Sequence, residues 1–221
     1  MSAAPKQEVF LVDDDEAVRD ALQVLLSVSG LRVRAFASAE SFLEDYRPEH
    51  SGCLLLDIRM PGMSGLKLQE VLRERQIQLP IIFITAYGDI PTAVDAVKRG
   101  AVEFIEKPFD DYRLLCLVLD ALEMDVQARR DRVARAELGA RLASLTRRER
   151  QVLDKMLAGR TSRSISEELF VSNRTVEFHR RKIMHKLQAG SLGELFHMCL
   201  SGRTLEPEPA PNPDSLAPRS P

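Results

Sequence analysis

The chain has 221 residues, enough for one or two small domains, and 29% of them are charged while only 5% are aromatic. No apolar run approaches the roughly 18 residues of a membrane-spanning helix, and the polar start of the chain does not resemble a signal peptide. The net charge of −2 hides an asymmetry, because residues 1–125 carry −9, residues 126–203 carry +9 and residues 204–221 carry −2. We therefore expect a cytoplasmic protein in which an acidic domain precedes a basic domain suited to nucleic acid.

The three cysteines, Cys53, Cys116 and Cys199, lie far apart within apolar stretches. Closely spaced cysteines usually indicate a zinc site or a disulfide framework, and this chain has none. We interpret the three thiols as small buried hydrophobic groups in a reducing compartment.

The first 125 residues alternate five times between an apolar run and an amphipathic segment. The predicted strands are Val9–Val12, Leu31–Phe36, Cys53–Leu56, Ile81–Ile84 and Val102–Ile105. The first predicted helix follows Asp15 and ends just before Gly30. Further helices are predicted at Ala39–Tyr46, Gly65–Arg75 and Pro91–Gly100, and another begins near Asp110. Apolar runs without polar alternation indicate strands that are buried on both faces, as in a parallel sheet covered by helices.

Polar residues lie just past the ends of four of these strands, namely Asp13, Asp14, Asp57, Thr85 and Lys107. Ligands of parallel sheets bind outside the carboxyl ends of the strands. Asp13 and Asp14 supply the hard oxygen ligands that suit Mg²⁺, and Asp57 can serve both as a metal ligand and as a nucleophile towards a phosphoryl group. Mg²⁺ and Lys107 would neutralise the phosphoryl oxygens, and Thr85 would donate a hydrogen bond to one of them.

An alternative interpretation is that Asp13, Asp14 and Asp15 only cap the first helix, since aspartate suits a helix N-terminus. A single residue of this kind would carry little weight. The whole set, in order at successive strand ends, favours a phosphorylation site.

Four segments resemble the motifs of a response-regulator receiver domain: Val12–Asp15, Leu56–Gly65, Thr85-Ala86 and Lys107–Phe109. The resemblance implies an α/β flavodoxin-like (βα)5 fold with strand order 2-1-3-4-5. It also implies that Asp57 is the phosphoacceptor of a sensor histidine kinase, and that Asp13, Asp14, Asp57 and the backbone carbonyl of Arg59 hold Mg²⁺. Phe104 falls at the family's switch position, together with Thr85, although a strand aromatic in the core would look the same.

An Arg- and Ala-rich helical pattern without a convincing heptad runs from about Leu114 to Leu145 and is interpreted as a helical linker. Four short helices and no strand are predicted after it. Thr146–Glu149 fits a capping box, and Ser172 is a suitable N-cap for a helix over Asn173–Leu187.

That last helix divides into two faces. Val176, His179, Ile183 and Leu187 are expected to face the core. The other face, which we call the basic face, consists of Arg174, Glu177, Phe178, Arg181, Lys182 and His185. An amphipathic helix often presents such a face to solvent alone. The short preceding helix, the intervening turn and the +9 charge favour insertion into the DNA major groove.

The basic region resembles the LuxR-type helix-turn-helix of FixJ/NarL response regulators, an all-α domain. The residues that carry the likeness are Leu145–Leu153, Gly159, Ser164–Ser166, Val171-Ser172, Arg174–Arg180 and Lys186-Leu187. Many relatives differ at Ser162–Ser164, Glu177 and Phe178, so the target sequence of another member does not transfer. We assign Arg163, Arg174 and Lys182 mainly to phosphates and Glu177, Phe178 and Arg181 to base edges, and Thr175 and His185 complete the predicted DNA-binding set.

The predicted organisation is a tail (1–7), a receiver domain (8–123), a helical linker (124–141), a helix-turn-helix domain (142–203) and a disordered tail (204–221) that holds six of the twelve prolines. The predicted function is that of a two-component response regulator without enzymatic turnover. Phosphorylation would promote homodimerisation and binding to double-stranded promoter DNA, and the FixJ likeness favours activation through contact with RNA polymerase.

Three other functions fit the sequence less well. A phosphohydrolase with an aspartyl nucleophile needs an acid two residues later, where this chain has Arg59. The acidic residues argue against a transcription factor that senses a small molecule. A receiver that signals without phosphorylation conflicts with a complete phosphorylation motif.

Overall fold

The computed structural model describes residues 6–85 and 103–203, with side chains up to residue 199. Two compact units divide the chain between Arg130 and Asp131. The helix predicted at Pro91–Gly100, the first five residues and the proline-rich tail lie outside the described residues. Within the described residues, no helix is long and apolar enough to cross a membrane.

The first unit contains a five-stranded sheet. Its strands are β1 (Gln7–Val12), β2 (Val33–Phe36), β3 (Ser51–Asp57), β4 (Ile81–Thr85) and β5 (Glu103–Glu106). All neighbouring strands are parallel, and their order is β2-β1-β3-β4-β5. The structure confirms the predicted flavodoxin-like fold and strand order, although the strand ends are displaced by up to two residues.

Three helices of this unit begin at a polar residue that caps them: α1 (Glu16–Val28), α2 (Ala39–Asp45) and α3 (Gly65–Glu74). The side chains of Asp15, Ser38 and Ser64 accept hydrogen bonds from backbone N–H groups of the first turns. These N–H groups have no partner within the helix, so the cap determines where each helix starts.

The sheet is buried on both of its faces because successive side chains of a strand point in opposite directions. Phe10 of β1 belongs to a core with Phe42 of α2 and Leu68 of α3. The neighbouring Leu11 belongs to a second core with Leu26 of α1. The uninterrupted apolar runs of the sequence are explained by this double burial.

The helix α4 (Asp111–Ala143) is continuous over 33 residues, so the predicted linker is the continuation of a helix that begins in the first unit. Its fully buried Asp125 accepts hydrogen bonds from Ser51 Oγ at 2.6 Å and from the Gly52 N–H at 2.9 Å. Arg129, one turn later, pairs with the same carboxylate at 2.9 Å. These contacts fasten α4 to the beginning of β3.

As far as residue 203, where the description of the second unit ends, it contains four short helices in addition to the end of α4, as predicted. They are α5 (Arg147–Leu157), α6 (Ser162–Glu168), α7 (Asn173–Leu187) and α8 (Leu192–Arg203). One apolar cluster joins them through Val152, Ile165, Val176 and Leu195. The predicted capping box is present at the start of α5, where the Thr146 hydroxyl and the Glu149 carboxylate each accept a backbone hydrogen bond from the other residue.

The buried Glu149 also forms an ion pair, since Lys186 Nζ of α7 lies 2.7 Å from its Oε2 atom. Only 3% of the Glu149 side chain is exposed. The hydrogen bond from Lys186, with help from Thr146 and against the effect of burial, lowers the pKa of Glu149 from 4.5 to about 2. The capping carboxylate of α5 therefore also holds α7 in place.

We expect Glu149→Gln to lower the free energy of unfolding by roughly 1–3 kcal/mol at pH 7, because a charged hydrogen bond is lost. The folded pKa is depressed, so this contribution is complete above pH 4.5 and disappears as the pH falls towards about 2. Denaturant unfolding of wild type and variant from pH 7 to pH 3 measures the difference. Glu137→Gln is the control, because that carboxylate is 62% exposed. A difference that does not shrink with falling pH would contradict the assignment.

Candidate functional site

The carboxyl ends of four strands meet around one cavity in the first unit. Its volume is about 260 Å³, and it is lined by Asp13, Asp14, Asp15, Asp57, Ile58, Arg59, Thr85 and Lys107. Strand register explains the meeting, because Val12 pairs with Leu56 and Asp57 pairs with Ile84. The structure thus brings together all the residues that were predicted at the strand ends.

Lys107 lies between the two buried carboxylates of this cavity. Its Nζ atom is 2.8 Å from Asp13 Oδ2 and 3.1 Å from Asp57 Oδ1. Burial raises the pKa of the Asp57 carboxyl above its ordinary value, although the charge and hydrogen bond of Lys107 oppose the rise. Burial also opposes charge on Lys107, but the hydrogen bond to Asp13 and the charge of Asp57 raise the pKa of the amine above its ordinary value.

Hydrogen bonds from the backbone orient both carboxylates. Asp57 Oδ2 accepts from the Arg59 N–H at 2.7 Å, and Asp13 Oδ1 accepts from the Asp15 N–H at 2.9 Å. Arg19 of α1 donates to the Asp13 carbonyl at 2.7 Å. Asp15 itself caps α1, so the capping role that was considered for all three aspartates belongs to Asp15.

The end of β3 leaves no room for a side chain at Gly65. A Cβ atom there would lie 2.2 Å from the backbone carbonyl oxygen of Asp57. The Gly65 N–H donates to the Ile58 carbonyl at 3.0 Å, which holds the start of α3 against the strand end. Close packing of α3 behind Asp57 therefore requires glycine at this position.

The donor set of the cavity fits hydrated Mg²⁺. This ion binds through a few carboxylates and keeps several waters, and Asp13, Asp14 and Asp57 together with Arg59 line the cavity. Among the described residues, no group of three His, Cys, Asp or Glu side chains is already arranged to hold a metal ion. The positive charge between Asp13 and Asp57 is supplied by Lys107 in this arrangement.

The two predicted switch residues lie on neighbouring strands. Thr85 ends β4 and is 1% exposed, and its carbonyl accepts a hydrogen bond from the Lys107 N–H at 2.7 Å. Phe104 of β5 pairs in register with Phe83 and packs against the core of that sheet face. The contacts of a core aromatic are thus observed for Phe104, and its switch role stays a prediction.

The second unit presents a helix, a turn and a longer helix. Thr161 and Ser172 cap α6 and α7, and Phe170 occupies the turn with a φ of 53° and 94% of its surface exposed. Val176, Ile183 and Leu187 of α7 are buried, and all six residues of the basic face are exposed. The predicted division of α7 into faces is confirmed except at His179, which was expected in the core and is only half-buried, and DNA contact stays a prediction.

Side chains on this surface are partly organised by contacts with each other. Lys182 Nζ lies 4.6 Å from the ring centroid of Phe178, a cation–π contact. The Thr175 and Ser172 hydroxyls are 2.8 Å apart at the helix cap. The predicted phosphate contact Arg163 is exposed on α6 and lies 3.3 Å from Glu167.

Two residues outside the predicted DNA-binding set contact Glu177. Ser162 Oγ of α6 donates a hydrogen bond to Glu177 Oε1, and Arg180 Nε lies 3.9 Å from the same oxygen. The second contact, that of Arg180 with Glu177, could be predicted from the sequence, because residues three apart on a helix are neighbours. The first joins two helices across a turn, so only their packing reveals it.

Two family models cover the chain in succession. Residues 9–119 match the response regulator receiver domain, and residues 143–199 match the bacterial regulatory proteins of the luxR family. These matches agree with the family resemblance that the motifs carry.

Curated relatives match across both units. The transcriptional regulatory protein FixJ of Azorhizobium caulinodans is 44% identical over 192 residues, which is 87% of this chain and 91% of that protein. FixJ of Rhizobium meliloti is 44% identical over 194 residues, with 88% and 95% covered. The response regulator protein TodT of Pseudomonas putida is 44% identical over 187 residues, with 85% and 82% covered.

Two solved structures also span both units. The response regulator StyR aligns with a TM-score of 0.78 and 45% identity, covering 89% of this chain and 99% of that one. Full-length FixJ from B. japonicum aligns with a TM-score of 0.56 and 38% identity, covering 91% and 100%.

We expect Gly65→Ala to lower the free energy of unfolding by roughly 1–3 kcal/mol, the usual cost of overpacking, because the added methyl group meets the Asp57 carbonyl. Gly139→Ala in α4 is the matched control, since no atom lies within 4 Å of the new methyl group. It should stabilise the helix by about 1 kcal/mol. Urea unfolding compares the two variants, and equal effects would show that the space behind Asp57 is not limiting.

Proposed function

Since the chain belongs to the FixJ-type DNA-binding response regulators, we propose that a sensor histidine kinase phosphorylates Asp57 and thereby controls binding to promoter DNA. The observation that carries this proposal is the pair of contacts from Lys107 to Asp13 and Asp57 in the acidic cavity. A buried carboxylate nucleophile with a fixed cation beside it suits phosphoryl transfer, in which positioning and charge neutralisation do most of the catalysis.

The reaction forms one bond and breaks another. A carboxylate oxygen of Asp57 attacks the phosphorus of a phosphohistidine, the phosphorus–nitrogen bond breaks, and the histidine leaves as the neutral ring once it has gained a proton. The Lys107 ammonium neutralises the phosphoryl oxygens, and the Thr85 hydroxyl donates to one of them. Asp13, Asp14, Asp57 and the Arg59 carbonyl would hold Mg²⁺, which would add positive charge at the same oxygens.

The product is a store of phosphate rather than the intermediate of a turnover enzyme. Arg59 stands two residues after Asp57, where a phosphohydrolase of this kind needs an acid that activates water. The matched families are transcription regulators and not enzyme families. Phosphoester hydrolysis by this chain is therefore expected to be absent.

Phosphorylation adds roughly two negative charges at the edge of the sheet. Thr85 and Phe104, which lie on neighbouring strands, are the proposed relay to a receiver surface that then dimerises. A homodimer presents two helix-turn-helix units to two DNA half-sites. Transcription activation through contact with RNA polymerase is the proposed output, and the similarity to the transcriptional regulatory protein FixJ supports a role in transcription.

On DNA, α7 is proposed to enter the major groove with its basic face. The exposed cations Arg163, Arg174 and Lys182 would contact phosphates, with Thr175 and His185 at the margins of the interface. Glu177, Phe178 and Arg181 would meet base edges. The burial of Val176 and Ile183 on the opposite side holds this face outwards.

Acetyl phosphate with Mg²⁺ should add one phosphoryl group to the wild type, and intact-mass spectrometry measures it. Asp57→Asn should gain none, because its amide is no nucleophile. Size-exclusion chromatography with light scattering should then show a dimer for phosphorylated wild type only. The proposal fails if treated wild type stays monomeric and binds promoter DNA no better than Asp57→Asn.

Two substitutions on α7 should separate phosphate contacts from base contacts. Lys182→Ala should weaken binding to all duplexes and reduce the salt-dependence slope by about 1. Arg181→Ala should cost roughly 1–3 kcal/mol and relax the preference at one base pair. Fluorescence anisotropy over a salt series measures both, with Lys67→Ala in the first unit as control, since this lysine is 56% exposed and pairs with Glu70. Identical behaviour of the two α7 variants would refute the division.

A further inference from the structure

Glu177 is the only acidic residue of the basic face. A carboxylate beside the phosphate backbone weakens binding unless it meets a hydrogen-bond donor on a base. Half of the Glu177 side chain is exposed, so the residue is accessible at the surface where DNA is proposed to bind. Its presence on this face needs a physical reason.

The carboxylate is held from a neighbouring helix. Ser162 in the first turn of α6 donates its hydroxyl hydrogen bond to Glu177 Oε1, and the Arg180 guanidinium lies 3.9 Å from that oxygen. No described residue donates a hydrogen bond to the other oxygen, Oε2. One carboxylate oxygen is thus fixed by the protein, and the second is left to accept a bond from outside.

The Ser162 hydroxyl and the Glu177 carboxylate are carried by two helices that pack against each other. Ile165 of α6 and Val176 of α7 are both fully buried in the same apolar cluster, so the two helices are packed against each other. Because packing fixes α6 relative to α7, the hydrogen bond from the Ser162 hydroxyl restrains the side-chain rotamers of Glu177. Without it, the glutamate is free to sample other rotamers and to turn towards nearby cations such as Arg181.

We propose that Ser162 is a positioning residue that aims the Glu177 carboxylate at the exocyclic amino group of a cytosine in the major groove. This inference rests on the DNA binding proposed above and names the base that the site selects. An ionised carboxylate only accepts hydrogen bonds. Cytosine offers an amino donor at this edge, guanine and thymine offer acceptors, and the amino group of adenine lies beside the acceptor N7.

The test is selection from a pool of randomised duplex DNA by the full-length chain after treatment with acetyl phosphate. Wild type should select cytosine at one position of each half-site, by roughly 5- to 150-fold over other bases, the range of a good base contact. Glu177→Ala should lose the preference at that position and keep the others. Ser162→Ala should lose it as well, while its affinity for non-specific duplex stays within about threefold of wild type, because that affinity comes from phosphate contacts.

Two further variants separate positioning from folding. Ser162→Thr retains a hydroxyl and should restore the cytosine preference. Ser164→Ala removes the other α6 hydroxyl that bonds a glutamate, but that glutamate is Glu168 of the same helix, at 3.1 Å. This control should select the same site as wild type, and thermal unfolding by circular dichroism should show matched stability among all of the serine variants.

Each remaining outcome overturns a stated part of the inference. Retention of the cytosine preference in Ser162→Ala, together with its loss in Glu177→Ala, would show that Ser162 does not position the carboxylate. An unchanged preference in Glu177→Ala would show that the glutamate contacts no base. In both cases the wild type still selects a sequence, so DNA binding stands. A wild type that binds no duplex would refute the proposed function as well.

Discussion

The contact of the Lys107 ammonium with Asp13 and Asp57 is the interaction on which the first unit depends. Two carboxylates that are almost fully buried are costly unless a cation and hydrogen bonds compensate them. Lys107 supplies the cation at 2.8 and 3.1 Å. The parallel sheet makes this possible, because β1, β3 and β5 all end at the same edge.

The rest of the first unit supports that edge. Apolar cores on both faces of the sheet exclude water from the strands, and Gly65 lets α3 approach the Asp57 backbone. At the opposite end of β3, Asp125 of α4 binds Ser51 and Gly52. The strand that carries the phosphoacceptor candidate is thus held at both ends, by an ion pair at one and by a buried hydrogen-bonded carboxylate at the other.

A second buried ion pair has a different task in the second unit. Glu149 caps α5 and binds Lys186 of α7. Its carboxylate therefore orients the two helices and is not free to act as a nucleophile. The basic face of α7 is therefore displayed by a helix that is fixed from behind by apolar packing and by this pair. The proposed phosphorylation and the proposed DNA contact are thus divided between units whose charges differ in sign, as the sequence asymmetry indicates.

The sequence by itself determined the fold class, the five strands to within two residues, the caps at Thr146 and Ser172 and the exposed face of α7, because periodicity, capping and strand burial act over a few residues. It also named the five polar residues at the strand ends that line the acidic cavity, since strand ends of a parallel sheet converge. Only the tertiary structure decided which aspartate caps and which pairs with Lys107, a partner 94 positions from Asp13 and 50 from Asp57. The link from Ser162 to Glu177 likewise depends on how α6 packs against α7, a long-range outcome that no local pattern encodes.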